Sequence, residues 1–207
     1  MILRLHPDNP QERLLRQAVK VLEKGGVLVY PTDTVYGLGC DVENRRAIER
    51  IYQLKQVDPR KPMSIICPDL SMVSDYVASV PTSVFRILKR LTPGPYTFIL
   101  EASSKVPRVM LTKQRTVGIR IPDNPVCAML VAMLGRPILS TSITLEDETH
   151  VVEDPEDIYE QWGSRVDMVL DGGILMTERS TVVDLTEGHP KLIRKGKGDI
   201  SSLGLEE

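Results

Sequence analysis

The amino-acid sequence predicts one α/β domain, a mixed sheet with helices packed against it. Capped amphipathic helices alternate with short apolar runs along the first two-thirds of the chain, and several apolar runs then crowd together near the C-terminus. No linker, repeat or shift of composition divides the 207 residues, a length that suits one domain. With 42% hydrophobic and 26% charged residues, the chain is of globular rather than disordered type.

Asn9, Pro10 and Glu12 read as the N-cap, first residue and capping-box partner of a first helix. Leu14, Leu15, Ala18, Val19 and Leu22 form its apolar face, and Gly25-Gly26 ends it. Residues 27–30 are a buried strand that leads into a loop over 31–39. A helix over 44–55 buries Ala47, Ile48, Ile51 and Tyr52, and a strand over 63–67 follows. The helix over 82–91 stops at Thr92-Pro93-Gly94-Pro95, because proline has no amide hydrogen to give. Residues 96–100 and 117–121 are strands. Asn124-Pro125 opens a helix that Gly135 closes, residues 137–139 form a strand ending at Ser140-Thr141-Ser142, and Asp154-Pro155 opens a helix to Trp162. Strands over 168–170, 181–185 and 192–194 complete the set.

The formal charge of −2 argues, as a total, against a nucleic-acid partner. The charges are segregated, however. Residues 45–120 hold 14 basic and five acidic side chains, a surplus of nine, and eight carboxylates lie within 146–160 with no Lys or Arg among them. Lys191, Arg194, Lys195 and Lys197 form a second basic run. Such asymmetry predicts an electropositive face that attracts phosphate. No apolar run is long enough to span a membrane, and the N-terminal MILRLHPDNPQERL has no signal core. Cys40, Cys67 and Cys127 are widely spaced in apolar company and read as reduced core thiols. The expectation is a soluble cytoplasmic protein.

Common catalytic devices are missing. There is no phosphate loop, dinucleotide fingerprint or nucleophile elbow, and His6, His150 and His189 lack metal-ligand spacing and read as surface or turn residues. Hydroxyls and cations stand instead at the ends of the strands: Thr32, Asp33 and Thr34 after one, Ser140, Thr141 and Ser142 after another, Ser180 at the start of a third. Loops at strand ends are where α/β folds build sites. Lys55, Arg60, Lys61, Arg120, Arg194 and Lys195 can converge there as phosphate ligands. Singly, each hydroxyl is a cap or turn residue; together they describe a polyanion pocket without a nucleophile or base.

The segment from Gly25-Gly26-Val27 through Pro31-Thr32-Asp33-Thr34-Val35-Tyr36-Gly37-Leu38-Gly39 resembles the opening signature of the YrdC-like family, which includes the threonylcarbamoyl-adenylate synthases. The resemblance continues through Leu54-Lys55, Pro93-Gly94-Pro95-Tyr96-Thr97, Val117-Gly118-Ile119-Arg120-Ile121-Pro122, Ser140-Thr141-Ser142, Ser180-Thr181-Val182-Val183-Asp184 and Ile193-Arg194-Lys195-Gly196. It covers residues 10–198 as one domain and leaves 1–9 and 199–207 as terminal extensions of the same unit. It implies a twisted mixed parallel and antiparallel sheet with a positively charged concave face that binds double-stranded RNA or tRNA. It also implies use of ATP with Mg²⁺, L-threonine and bicarbonate to form threonylcarbamoyl-AMP for tRNA modification, with ATP as substrate and no structural metal. Adenylate formation needs positioning and cations more than a strong base.

Carried over residue by residue, the family's binding positions fall on Thr34, Lys55, Arg120, Ser140, Ser142, Ser180 and Arg194, with Lys55 as the catalytic cation and Arg60 and Lys61 as additions. Two signature positions differ. The synthases' Lys-x-Arg is here Lys55-Gln56-Val57, and their Ser-x-Asn is Ser142-Ile143-Thr144. Some synthases have a histidine in the strand where this chain has Ile65-Ile66. A charged hydrogen bond is worth roughly 1.5–3 kcal/mol, so losing the arginine slows turnover by about 10- to 100-fold. The expectation is therefore a nucleotide- and RNA-binding protein with a diverged ligation site. The alternative is an active synthase in which Arg60 and Thr144 replace the missing pair.

Overall fold

A computed structural model of the chain describes residues 1–58, 62–111, 113–143, 153–175 and 178–205. In chain order its elements are β1 (Ile2–Arg4), α1 (Glu12–Glu23), β2 (Val27–Tyr30), β3 (Gly37–Asp41), α2 (Arg45–Lys55), β4 (Ser64–Ile66), α3 (Leu70–Tyr76), α4 (Thr82–Leu91), β5 (Tyr96–Glu101), β6 (Thr116–Arg120), α5 (Pro125–Leu134), β7 (Ile138–Ser142), α6 (Pro155–Trp162), β8 (Met168–Asp171), β9 (Thr181–Asp184) and β10 (Lys191–Arg194). The ten strands form one mixed sheet in the order β1-β8-β2-β3-β7-β4-β6-β5-β9-β10. Among the described residues no helix is long and apolar enough to cross a membrane.

The caps explain most helix starts. The Oδ1 atoms of Asn44, Asn124 and Asp69 accept the N–H groups of Ala47, Cys127 and Met72 at 2.9–3.1 Å, satisfying donors that a helix leaves open at its first turn. The first helix departs from expectation. It begins at Glu12, because the His6 ring accepts the N–H groups of Asp8 and Asn9 and holds Asn9 in a turn; Gln11 becomes the cap, with no side-chain bond. The loop expected over 31–39 is also shorter, since Gly37, Leu38 and Gly39 belong to β3, paired to β2 and β7. A Cβ on Gly39 would stand 2.6 Å from the Leu139 carbonyl and 2.8 Å from the Tyr30 ring, so close approach of three strands requires glycine there.

Side chains alternate across the strands, and this divides the core into two layers. Val27, Val29, Leu38, Ile65, Phe98, Ile119 and Val183 point to one side, into a core shared with α2, α3, α4 and α6. Leu28, Tyr30, Ile66, Ile138, Met168 and Leu170 point to the other, under α1 and α5. Those two helices cover this second face only as far as β4. Over β6, β5, β9 and β10 no helix among the described residues packs on the same face, and there a cleft opens.

Candidate functional site

The cleft has a volume of about 720 Å³, within the size range of small-molecule sites. Its floor follows from strand register. Ser140 pairs with Ser64, Ser64 with Gly118, Gly118 with Ile99 and Ile99 with Asp184, a row across five strands. At about 4.8 Å per strand this row is roughly 19 Å long. Small residues keep it deep at one end. A Cβ on Gly118 would meet Ser64 Cβ at 3.1 Å and Thr97 Cγ2 at 3.3 Å. Thr97 in turn lies opposite Val182, and Arg194 lies opposite Val182 from the other side.

The loop after β2 supplies one wall, and its hydroxyl protons can be assigned. Thr32 Oγ1 donates to the Val35 carbonyl at 2.7 Å, which uses its only proton, and it accepts the Thr34 N–H at 3.0 Å. The 3.0 Å contact between the two threonine hydroxyls therefore runs from Thr34 to Thr32. Thr34 Oγ1 is left to accept from Arg120 Nη2 at 2.9 Å. The same Nη2 lies 2.8 Å from Asp33 Oδ1, and the two side chains of this ion pair are only 9% and 6% exposed. Asp33 is held by two further bonds: Oδ2 accepts the Asp123 N–H at 3.2 Å, and its carbonyl accepts from Lys197 Nζ at 2.6 Å. Arg120 Nε is buried and has no hydrogen-bond partner among the described residues. An orphaned guanidinium donor beside a cleft is suited to an incoming anion.

Ser180 and Arg194 form the opposite rim. Arg194 Nη2 donates to the Ser180 carbonyl at 2.9 Å and to its Oγ at 3.3 Å, and that Oγ also lies 2.8 Å from Thr97 Oγ1. Burial lowers the Arg194 pKa, and repulsion from Arg179 and Arg120 lowers it further. An arginine stays protonated regardless, so an anion placed between these guanidinium groups would ease their mutual repulsion. Gly196 lets the chain turn against this rim: a Cβ there would stand 2.2 Å from the Arg179 carbonyl. At the other end, Ser140 is 3% exposed and accepts a 2.6 Å hydrogen bond from the Tyr30 hydroxyl, while Ser142 and Lys55 also line the cleft.

The structure thus brings Thr34, Lys55, Arg120, Ser140, Ser142, Ser180 and Arg194 around one cavity. Arg60, Lys61 and Thr144 lie outside the described residues, as do residues 146–152 of the acidic segment. Val57 lines the cleft, so the apolar side chain stands in the wall where the synthase pattern has arginine. Ile65 and Ile66 lie in the two cores and not in the cleft. Arg86, Lys89 and Arg90 are exposed on α4, whose apolar side packs into the core on the far face of the sheet. The basic stretch is therefore continuous in sequence and divided in space.

Sequence reasoning missed Arg179, Ser64, Thr97 and Asp184 as cleft residues, and it did not assign Asp33 the task of holding Arg120. The signal for the strand residues was the period of two. Thr97 and Ile99 alternate with the core residues Tyr96, Phe98 and Leu100, but which face a helix leaves open cannot be read from one strand. Among the described cleft residues there is no histidine or cysteine, Asp33 is paired with Arg120, and Asp184 is engaged by Thr186. The chemistry of the described lining suits anions and hydroxyl-bearing groups, and the described lining residues include no imidazole or thiol to act as a base.

The Sua5–YciO–YrdC family model, described as telomere recombination, matches residues 20–196. The Escherichia coli protein YciO is 44% identical over 197 residues, covering 95% of this chain and 95% of its own. The crystal structure of Escherichia coli YciO superposes with a TM-score of 0.93 over 98% of both chains, at 43% identity. A threonylcarbamoyl-AMP synthase of Vibrio vulnificus is 34% identical over 185 residues, 88% of this chain and 98% of that one. The crystal structure of Pyrococcus abyssi Sua5 complexed with L-threonine superposes with a TM-score of 0.88 at 28% identity, over 95% of this chain and 57% of the longer Sua5 chain.

Proposed function

Because this chain belongs to the Sua5–YciO–YrdC family, we propose that its cleft binds ATP with Mg²⁺ at a diverged threonylcarbamoyl-adenylate-type site, and that the protein also binds RNA. One observation carries the nucleotide reading: Lys55, Arg120, Arg179 and Arg194 converge with the hydroxyls of Ser140, Ser142 and Ser180 on the uncovered face of the sheet. Four cations and three hydroxyls match the many oxygens of a polyphosphate. The orphaned Nε of Arg120 supports an anionic occupant as well. Magnesium arrives with the nucleotide and keeps most of its waters, so the chain need contribute few metal ligands.

Divergence of the chemistry is supported by Val57. Adenylation requires an oxygen nucleophile to be held in line with the α-phosphorus while pyrophosphate leaves, and cations around the phosphates stabilise the charge that shifts onto it. An apolar side chain in that wall withdraws one such cation. A second reading, a working threonylcarbamoyl-AMP synthase, is favoured by the 34% identity to the Vibrio vulnificus synthase along nearly its whole length.

The test is to incubate the protein with ATP, Mg²⁺, bicarbonate and L-threonine and measure pyrophosphate and threonylcarbamoyl-AMP. The expected outcome is ATP binding with turnover about 10- to 100-fold below that of a synthase carrying the arginine, and a gain on Val57→Arg. Turnover equal to such a synthase selects the second reading, and failure to bind ATP overturns both.

A further inference from the structure

We propose that Tyr30 is a positioning residue for the cleft: its hydroxyl donates to Ser140 and so directs the serine's own proton into the cavity, making Ser140 a fixed donor to an anionic oxygen. The proposal rests on the nucleotide reading of the cleft, and it adds a side chain that is not among the cavity's lining residues.

Tyr30 closes β2 and Ser140 lies in β7, with β3 between them. Two strand spacings are roughly 9.6 Å, a gap that one side chain crosses only where nothing stands on the intervening strand. The Gly37-Leu38-Gly39 run of β3 provides that clearance. Gly37 is paired with Tyr30, and Gly39 with Ser140. A Cβ on Gly37 would stand 3.1 Å from Tyr30 Cζ and 3.2 Å from both the Tyr30 hydroxyl and Ser140 Oγ. A Cβ on Gly39 would stand 2.8 Å from Tyr30 Cε1. Leu38, between the glycines, points into the other core, so side chains are missing here only on the face the ring uses. The ring lies across the two glycines, and its hydroxyl ends 2.6 Å from Ser140 Oγ.

The direction of this bond follows from burial. Tyr30 is 1% exposed in the core under α1 and α5, and burial raises the pKa of its phenol, so it stays protonated and donates. A serine hydroxyl has one proton and two lone pairs. With a lone pair taken by the phenol, Ser140 keeps its proton to give, and among the described residues that proton has no acceptor. Ser140 Oγ faces the cavity, while Ser64 Oγ donates to the Ser140 carbonyl at 3.2 Å and steadies the residue from the neighbouring strand. Accepting from the phenol also polarises the serine hydroxyl and strengthens the bond it donates. A donor already aimed at the cavity needs no reorganisation when an anion arrives.

The test is titration calorimetry with Mg-ATP on the wild type, Tyr30→Phe, Ser140→Ala and the double variant. Tyr30→Phe keeps the ring that packs on the glycines, and a cooperative urea transition shows that it is folded. It is expected to weaken Mg-ATP by about three- to tenfold, the range of one hydrogen bond. Ser140→Ala is expected to weaken it by about tenfold. On the Ser140→Ala background, Tyr30→Phe is expected to change affinity by less than about twofold, because the tyrosine acts through the serine. A purely structural role would give the same loss on both backgrounds. That result, an unchanged affinity in Tyr30→Phe, or full affinity in Ser140→Ala overturns the positioning role and leaves the nucleotide reading standing. A wild type that does not bind Mg-ATP overturns the nucleotide reading and this proposal with it.

Discussion

Replacing Arg120 with methionine removes the charge from the centre of the site and keeps most of the side-chain stem. In the native structure its Nη2 bonds to Asp33 Oδ1 and Thr34 Oγ1, and both members of the ion pair are more than nine-tenths buried. Without the guanidinium, the Asp33 carboxylate keeps, among the described residues, the 3.2 Å bond from the Asp123 N–H. Removing one partner of a buried pair costs about 3–5 kcal/mol, because the other charge stays desolvated, whereas an exposed pair is worth at most about 1 kcal/mol. The burial here puts the effect in the first range. Against a total stability of about 5–15 kcal/mol this is a large fraction. The double variant Asp33→Asn with Arg120→Met leaves no lone charge and is expected to recover most of the loss, within about 1–2 kcal/mol of wild type. Urea unfolding followed by fluorescence is a direct assay, since the single tryptophan, Trp162, is 5% exposed in the core. A loss below about 1 kcal/mol in Arg120→Met, or no recovery in the double variant, would refute the account of this pair as a desolvated anchor.

Other perturbations test the remaining structure. Gly39→Ala forces a methyl group against the Leu139 carbonyl and the Tyr30 ring, and a stability loss of about 2 kcal/mol or more is expected in the same urea assay. Burial raises the pKa of all three thiols, that of Cys67 to about 12, so the native protein is expected not to react with a disulfide reagent at pH 8, while all three thiols react in denaturant. RNA affinity is expected to fall steeply with salt, and Arg86→Ala with Lys89→Ala to make that slope shallower by about 1 to 2. Arg90 is left in place because it donates to the Ser202 carbonyl. An unchanged slope moves the RNA surface away from α4.

Much of the fold was legible in the chain because helices announce themselves locally. The starts of α2, α5 and α6 follow from a capping side chain within three residues of the donor it satisfies, and Gly135 ends α5 at φ +74°. The elements that escaped lack such signals. β1 is three residues long and exists through pairing with β8, whose residues lie some 167 positions later. β3 reads as loop because of Gly37 and Gly39, whose place in a strand is set by the closeness of β2 and β7. α3 is a seven-residue helix, too short for its apolar period to stand out.

The sequence by itself determined which groups stand at the strand ends, hydroxyls and cations such as Thr34, Ser140, Ser142, Arg120 and Arg194. It also determined the family, because the motifs that carry the resemblance are contiguous stretches. Only the tertiary structure decided which of those groups meet. Arg120 reaches Asp33 across 87 positions, and Tyr30 reaches Ser140 across 110. It likewise decided that the basic stretch splits between the cleft and the opposite face. The reason is that a strand specifies the alternation of its side chains but not which side is covered. That is settled by where α1 and α5 pack, and the face they leave bare over β6, β5, β9 and β10 is the cleft.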